Sequence, residues 1–277
     1  MPDSVKNEFH DLAEVKLNRS GEHWGNLGYW QFDNHYSDAC RQLALELGEF
    51  AGLGKQQRLF DAGFGCGDQI LVWYKAFEAE YVTGVNLSVS QTEVARHKLQ
   101  ESGYQQRSDI HYGDIGKIQR PAMAGQFDRV LALDCIYHFS NKRQFFSQSY
   151  DLSNEQGVLA FSDLLLVDGA KNNWRYLLVK IMLWLSNIPQ QNLTNLDDLQ
   201  QQLKQQGFGF VEHRDISVQV MPAFYSWYLN NRSELKEKLN LADRLKYLVT
   251  GSFLNWAYKN KLIRYVLVKA SKETSGK

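Results

Sequence analysis

Residues 58–69, Arg58-Leu-Phe-Asp-Ala-Gly-Phe-Gly-Cys-Gly-Asp-Gln69, decide the fold of this chain. The apolar pair after Arg58 is typical of a buried strand, and a helical pattern of apolar residues resumes at Ile70. Between them lie three glycines at alternate positions, where no Cβ blocks a ligand: Gly63, Gly65 and Gly67. The stretch predicts a strand, a tight turn and a helix whose free backbone N–H groups face a polar or anionic ligand.

Strand and helix patterns alternate on both sides of this turn. We expect five parallel strands, at 58–61, 81–85, 110–114, 127–134 and 157–165, with intervening helices that include 37–52, 90–103 and 142–152. Beyond residue 166 the chain predicts helices at 173–186, 194–206 and across most of 224–258, and strands at 208–216 and 262–268. The predicted fold class is therefore α/β, a Rossmann-like sheet of seven strands with helices on both faces and a ligand beyond the carboxyl ends of its strands.

Composition narrows the class of protein. The chain has 277 residues, 44% of them hydrophobic, which is enough for a large core. No apolar run reaches the roughly 18 residues of a membrane-spanning helix, and the first ten residues lack the apolar centre of a signal peptide. Three cysteines lie far apart and outside metal-binding spacing: Cys40, Cys66 and Cys135. These features favour a cytoplasmic protein without a disulfide framework or a zinc site.

A net charge of +0 conceals an uneven distribution, because residues 1–169 carry −8 and residues 170–277 carry +8. The basic part is also rich in aromatic residues. Such a surface could contact an anionic membrane or an acidic partner. The alternative, which we favour at this point, is that the two parts attract each other or that the charges are simply solvated.

The first sequence motif for a cofactor is Asp61-Ala-Gly-Phe-Gly-Cys-Gly67. Its G-x-G-x-G spacing differs from the G-x-G-x-x-G pattern of nicotinamide and flavin enzymes. The motif resembles motif I of the class I S-adenosylmethionine-dependent methyltransferases. The resemblance implies that the three glycines contact the methionine part of S-adenosylmethionine and that Asp61 lies near its amino end. The alternative is a tight turn that binds nothing.

A second motif, Gly84-Val-Asn-Leu-Ser-Val-Ser-Gln91, lies at the end of the second strand. Doubly wound folds place the residue that binds a ribose at this position. The motif is similar to a subset of the family that includes cyclopropane fatty acid synthases and the tocopherol and sterol methyltransferases. The resemblance implies that Gln91 faces the cofactor ribose beside Asn86 and Leu87. Asn86 departs from the acid that is usual there. The alternative is that Asn86 caps a turn and Gln91 is a solvent-exposed helix residue.

Two further stretches occur in the family's order. His111-Tyr-Gly-Asp114 resembles the adenine-binding position, which implies that Asp114 accepts from the adenine amino group with Ile115 beside the ring. Leu133-Asp-Cys-Ile-Tyr-His-Phe139 resembles the stretch beside the methyl-transfer site. There we expect Asp134 to face both cofactor and acceptor, Tyr137 to orient the acceptor, and His138 to act as a base. A histidine that only packs at the start of a helix is the alternative.

The tract His23-Trp-Gly-Asn-Leu-Gly-Tyr-Trp30 is similar to a segment that precedes the core in tocopherol, sarcosine and rebeccamycin-type methyltransferases. It implies that Tyr29 and Trp30 touch the sulfonium end of the cofactor. We expect three regions: a cap and first helix at 1–57, the cofactor-binding core at 58–169, and a helical lid with the last strands at 170–277. Aromatic segments at 174–184 and 224–228 are the expected lid over an apolar acceptor, or else ordinary core.

These resemblances predict an enzyme that transfers a methyl group from S-adenosylmethionine to a small lipophilic metabolite by in-line displacement, releasing S-adenosylhomocysteine. One alternative is cyclopropane-synthase-like lipid modification, although Asp134-Cys-Ile-Tyr-His138 stands where that group has E-x-x-E-H. Another is a non-catalytic protein that binds the cofactor. The glycine spacing disfavours a nicotinamide enzyme. The acidic core disfavours nucleic acid as a partner, and the sequence leaves the oligomeric state open.

Overall fold

The computed structural model describes residues 16–31, 35–115 and 123–272. The expected N-terminal cap at 1–57 therefore lies partly outside the described residues. The strands are β1 (Arg58–Ala62), β2 (Tyr81–Asn86), β3 (Ser108–Tyr112), β4 (Phe127–Ala132), β5 (Ser153–Leu166), β6 (Phe208–Asp215) and β7 (Ile263–Lys272). The helices are α1 (Tyr36–Ala51), α2 (Asp68–Phe77), α3 (Val89–Glu101), α4 (Lys142–Leu152), α5 (Tyr176–Leu185), α6 (Leu196–Gln205), α7 (Ser217–Asn230), α8 (Arg232–Lys238) and α9 (Leu241–Lys259).

Within the described residues the strands form one seven-stranded sheet in the order β3-β2-β1-β4-β5-β7-β6. The first five strands pair in parallel, and β7 runs antiparallel between β5 and β6. The predicted α/β class and seven-stranded sheet are confirmed. Chain order reverses between β1 and β4, and the glycine turn lies at the carboxyl edge of the sheet at this switch point, which is where folds of this kind bind ligands.

Two apolar clusters cover the two faces of the sheet. One is built around α1, α2, α7 and α9, with Leu43, Trp73 and Phe224 among its buried side chains. The other lies under α4 and α6 and includes Phe145 and Leu203. A fully buried side chain of this size contributes about 2 kcal/mol to the free energy of folding. Helices therefore cover both faces of the sheet, as the sequence pattern predicts.

Three boundaries differ from the sequence-based expectation. Helix α7 begins at Ser217, ahead of the expected start at residue 224, and contains Pro222. Strand β5 begins at Ser153, with a register irregularity against β4. Strand β4 ends at Ala132, so Asp134 lies beyond it, in the left-handed region at φ 53°.

The two aromatic segments of the expected lid have different environments. Side chains of Phe224 and Trp227 on α7 are 2% and 7% exposed and belong to the core. By contrast, Trp174 and Trp184 beside and on α5 are 80% and 64% exposed. The core alternative therefore describes the 224–228 segment, whereas 174–184 lies on the surface. None of the helices in the described part of the chain is long and apolar enough to cross a membrane.

Candidate active site

The three glycines of the turn after β1 have different surroundings. A Cβ at Gly63 would lie 2.7 Å from the Cys135 Sγ, and one at Gly67 would lie 3.0 Å from the Ala95 Cβ. These two positions are glycine because neighbouring elements approach too closely for a side chain. Gly65, at φ +58°, would direct a Cβ into space with no protein atom within 4 Å. That open space in front of a helix N-terminus fits the cofactor that the motif implies.

Asp61, at the end of β1, is fully buried. Its carboxylate accepts hydrogen bonds from Gln69 Nε2 at 2.8 Å and 3.0 Å and from Trp73 Nε1 at 2.6 Å. Burial raises the pKa of Asp61 to about 7, against the opposing effect of these two donors. Gln69 and Trp73 are one helical turn apart on α2, so the carboxylate fixes the start of α2 against β1. Its contact with the amino end of a cofactor stays a prediction.

The two residues expected at the ribose are joined to each other. Asn86 Nδ2 donates to Gln91 Oε1 at 2.9 Å, and both side chains are buried. Ser88 caps α3 by accepting from the backbone N–H of Gln91. At 4% exposure Gln91 is not a solvent-exposed helix residue, so that alternative is wrong. Leu87 between them is 50% exposed at the carboxyl edge of β2.

The stretch expected at the adenine lies next to this pair. Strand β3 pairs with β2 up to Asn86 and Tyr112, and the backbone N–H of Gly113 donates to the Asn86 carbonyl at 2.9 Å. Asp114 follows, half-buried, and Ile115 is 7% exposed. The structure thus brings the predicted adenine and ribose residues to adjacent strand ends. Binding of adenine by Asp114 and Ile115, and of ribose by Asn86 and Gln91, stays a prediction.

Asp134 is a hydrogen-bond centre beyond β4. Its carboxylate accepts from the Leu27 backbone N–H at 2.7 Å, the Tyr137 hydroxyl at 2.6 Å and the Tyr265 hydroxyl at 2.5 Å. Its own N–H donates to Ser162 Oγ at 2.7 Å. Burial raises the pKa of Asp134 and raises the pKa values of Tyr137 and Tyr265 well above the ordinary tyrosine value. Both phenols therefore stay protonated and remain donors to the carboxylate.

His138 ends a short 3-10 turn, Ile136–His138, after this centre. Its ring lies 4.6 Å from that of Tyr137 between centroids, and its Nδ1 is 3.4 Å from the Asn187 carbonyl oxygen. A carbonyl can only accept, so in this contact the Nδ1 of the imidazole is the donor. Asn192 Nδ2 donates to the carbonyls on both sides of His138, at Tyr137 and Phe139. The segment after α5 therefore holds the histidine loop in place.

The tract before α1 lies against the same edge of the sheet. Trp30 is 5% exposed, donates its indole N–H to the Leu27 carbonyl at 2.8 Å, and packs against Trp227 with ring centroids 4.6 Å apart. Tyr29 is half-buried, and its backbone N–H donates to Ala39. The structure gives Trp30 a packing role in the core, and contact of either ring with the sulfonium stays a prediction.

The sequence did not reveal several residues of this site. Tyr265 is fully buried in β7 and reaches Asp134 across 131 residues of chain, so no local pattern could have identified it. Leu27 contributes its backbone N–H to Asp134, and since every residue except proline has this group, the sequence gives no signal for it. Gln69 and Trp73 carried a usable signal, because polar side chains one turn apart on an otherwise apolar helix face predict a buried polar partner.

The sheet order, the open glycine turn and the residues at the strand ends define the class of an S-adenosylmethionine-binding α/β enzyme. Residues 30–261 match the mycolic acid cyclopropane synthetase family, and the chain belongs to that family. Among its curated relatives, erythromycin 3''-O-methyltransferase of Saccharopolyspora erythraea is 26% identical over 80% of this chain and 73% of its own length. O-methyltransferase cnsE of Penicillium expansum is 24% identical over 77% of this chain and 76% of its length.

A solved structure supports the fold. Geranyl diphosphate C-methyltransferase of Streptomyces coelicolor, determined with S-adenosyl-L-homocysteine, superposes with a TM-score of 0.74 at 13% identity, over 98% of each chain. The predicted reaction class and cofactor are confirmed: the chain is a methyltransferase that uses S-adenosylmethionine and acts on a small molecule.

Proposed function

We propose that the acceptor is a small apolar molecule with a hydroxyl group, and that His138 is the general base that removes the hydroxyl proton. The observation that carries the proposal is the position of the imidazole directly beyond β4, on a 3-10 turn that the Tyr137 to Asp134 hydrogen bond holds, with Nδ1 in contact with the Asn187 carbonyl. Two relatives are named as O-methyltransferases, which supports oxygen as the attacking atom. The family that the chain matches is named for mycolic acids, which are lipids, and this supports an apolar acceptor.

When bound, the cofactor supplies an electrophilic methyl group. The chain must hold the acceptor oxygen in line with that methyl and remove its proton as the bond forms. An alcohol is a weak nucleophile at neutral pH, whereas an imidazole accepts a proton in that range. Asp134 and Tyr137 support this step by fixing the turn from which His138 projects. A positioned base contributes about 10²- to 10⁴-fold to the rate.

The test is His138→Gln, assayed for S-adenosylhomocysteine release with a panel of apolar alcohols and phenols. His97→Gln is the matched control, because His97 lies on α3 with an exposed side chain paired with Glu101. We expect turnover of the His138 variant to fall about 100-fold or more, with unchanged affinity for S-adenosylhomocysteine. Equal turnover of the two variants would show that His138 is not the general base.

The match to a cyclopropane synthetase family favours a second candidate, the modification of lipid alkenes. The sequence Asp134-Cys-Ile-Tyr-His138 lacks the second glutamate of the E-x-x-E-H pattern and weighs against it. Mass spectrometry of the products distinguishes the two candidates, since a methylene-bridged lipid supports only the second.

We also propose a cytoplasmic location and a division of the chain into three regions. A cytoplasmic location is supported by three cysteines that are all free thiols: Cys40, Cys66 and Cys135. The division into 1–57, 58–169 and 170–277 is supported by the change from parallel βα units to helical segments after β5.

A further inference from the structure

Helix α5 and the residue pair before it present an apolar surface to solvent. Six large side chains are between 45% and 80% exposed and form what we call the 174–185 face: Trp174, Leu177, Leu178, Ile181, Trp184 and Leu185. They recur at helical spacing and make one continuous stripe. Val179 and Leu183, at 0% and 3% exposure, attach the opposite side of the helix to the core. The exposed stripe is therefore not needed to hold the helix on the protein.

The charges that residues 169–196 carry have one sign. Lys171, Arg175 and Lys180 lie within or beside the 174–185 face, and the sequence contains no acidic residue between Asp168 and Asp197. Asp168 itself forms an ion pair with Arg264 at 3.6 Å. The Arg175 guanidinium lies over the Trp174 ring, 5.0 Å from its centroid. Exposed tryptophans, aliphatic side chains and cations without anions are the composition that binds at a lipid headgroup boundary.

We propose that the 174–185 face docks on the surface of an anionic phospholipid bilayer. The tryptophans and leucines enter the boundary between headgroups and acyl chains, while Lys171 and Lys180 contact lipid phosphates. The contact is peripheral, because the ten residues of α5 are about half the length that a spanning helix needs.

Charge argues for a bilayer over a second copy of the chain. A symmetric dimer through this face would bring six cations into one interface, with no acidic residue of the 169–196 segment to pair with them, and like charges oppose such a contact. An anionic lipid surface instead attracts all three.

The 174–185 face is joined directly to the segment that contacts the His138 loop. The turn after α5 contains Asn187, whose carbonyl contacts His138, and Asn192, which holds the loop on both sides of that histidine. A docked α5 therefore places the acceptor side of the site near the bilayer. The docking itself goes beyond the proposed function, because it requires neither a bound cofactor nor a particular acceptor.

Flotation of the full chain with phosphatidylcholine vesicles, with and without phosphatidylglycerol, tests the proposal. We expect binding to the vesicles that contain phosphatidylglycerol. The Lys171→Gln/Lys180→Gln variant should bind about 25-fold more weakly, which is about fivefold for each charge removed. Leu177→Ser/Trp184→Ser should reduce binding about tenfold or more through loss of buried apolar area. The matched control is Phe210→Ser/Val218→Ser, which changes two side chains that are 56% and 54% exposed outside the face.

Thermal unfolding confirms that each variant is folded, and light scattering gives its oligomeric state. Failure of the unaltered chain to bind the anionic vesicles would overturn the proposal. Equal losses in the Leu177→Ser/Trp184→Ser variant and the control would also overturn it. A dimer that the Leu177→Ser/Trp184→Ser variant dissociates and the control does not would assign the face to a second copy. None of these outcomes involves methyl transfer, so they are independent of the proposed function.

Discussion

The carboxylate of Asp134 accepts a hydrogen bond from the backbone N–H of Leu27 at 2.7 Å, across 107 residues of chain. Two phenols, of Tyr137 and Tyr265, donate to the other oxygen of the same carboxylate. This hydrogen bond joins the tract that carries Trp30 to the end of β4, beside the glycine turn. We infer that Asp134 is a positioning residue that closes the N-terminal tract over the cofactor site.

Asp134→Asn tests this role. Asparagine tolerates the left-handed backbone of this position, but its amide N–H₂ replaces an acceptor and opposes either the Leu27 N–H or the phenols. We expect the free energy of unfolding to fall by about 2 kcal/mol, measured in urea, with at least about tenfold weaker binding of S-adenosylhomocysteine.

Asp128→Asn is the control for this change. Asp128 also accepts a backbone N–H, from Arg58 at 2.8 Å, and an amide N–H from Asn154, but at the amino edge of the sheet. Its loss should lower stability and leave cofactor affinity intact. If both variants bind S-adenosylhomocysteine like the unaltered chain, Asp134 does not organise the site.

Asp61 makes the stability of the protein depend on pH. Burial raises its pKa in the folded protein to about 7, whereas an unfolded aspartate titrates near about 3.9. Between these values the folded chain holds a proton that the unfolded chain releases. The contribution of Asp61 to the free energy of unfolding is therefore fully present below about pH 4 and is lost as pH rises through about 7.

Urea unfolding of the cofactor-free protein between about pH 5 and about pH 8 measures this effect. We expect stability to fall more steeply with pH in the unaltered chain than in Asp61→Asn, by at most about 1.4 kcal/mol per pH unit. Rotation of the Gln69 amide can accommodate the asparagine, because its oxygen then accepts the new N–H₂. Parallel pH profiles in the two proteins would show that Asp61 does not titrate in this range.

The ion pair of Lys142 and Asp163 is buried, with side-chain exposures of 3% and 0% and an Nζ to Oδ2 distance of 2.6 Å. Lys142 also donates to the Asn192 carbonyl at 3.2 Å, and so holds the segment beside His138. Lys142→Met leaves a buried carboxylate without its cation, and we expect a loss of about 3 to 5 kcal/mol in the free energy of unfolding.

An exposed pair provides the comparison for this prediction. Lys55 and Glu78 are 2.7 Å apart, but their side chains are 74% and 58% exposed. Lys55→Met should therefore cost less than about 1 kcal/mol by the same urea titration. Similar losses for the two methionine variants would contradict the assignment of Lys142 as the essential cation of a buried pair.

Local patterns were sufficient for most of the fold. The apolar run before Gly63 and the periodicity after it specify β1 and α2, because each pattern is satisfied within about ten residues. The four cofactor motifs each end a strand, so a parallel sheet brings them to one edge without further information. This is why the sequence could place Asn86 and Asp114 at the same edge of the sheet.

Contacts between distant elements could not be read in this way. The bond between Tyr265 and Asp134 depends on β7 inserting between β5 and β6, which no strand pattern encodes. The aromatic segments show the same limit. Trp184 and Trp227 both lie in apolar helices, yet one is 64% exposed and the other 7%, because only tertiary packing decides which helix is covered.

The open space before Gly65 is the place where we expect S-adenosylmethionine to bind. Calorimetric titration with S-adenosylhomocysteine, on the unaltered chain and on Gly65→Arg, tests this claim most directly. Gly103→Arg is the matched control, because Gly103 also has a positive φ and open space around its Cβ, but lies between α3 and β3. We predict micromolar binding that is lost in Gly65→Arg and kept in Gly103→Arg. Binding that survives in Gly65→Arg, or is absent from the unaltered chain, would contradict the claim.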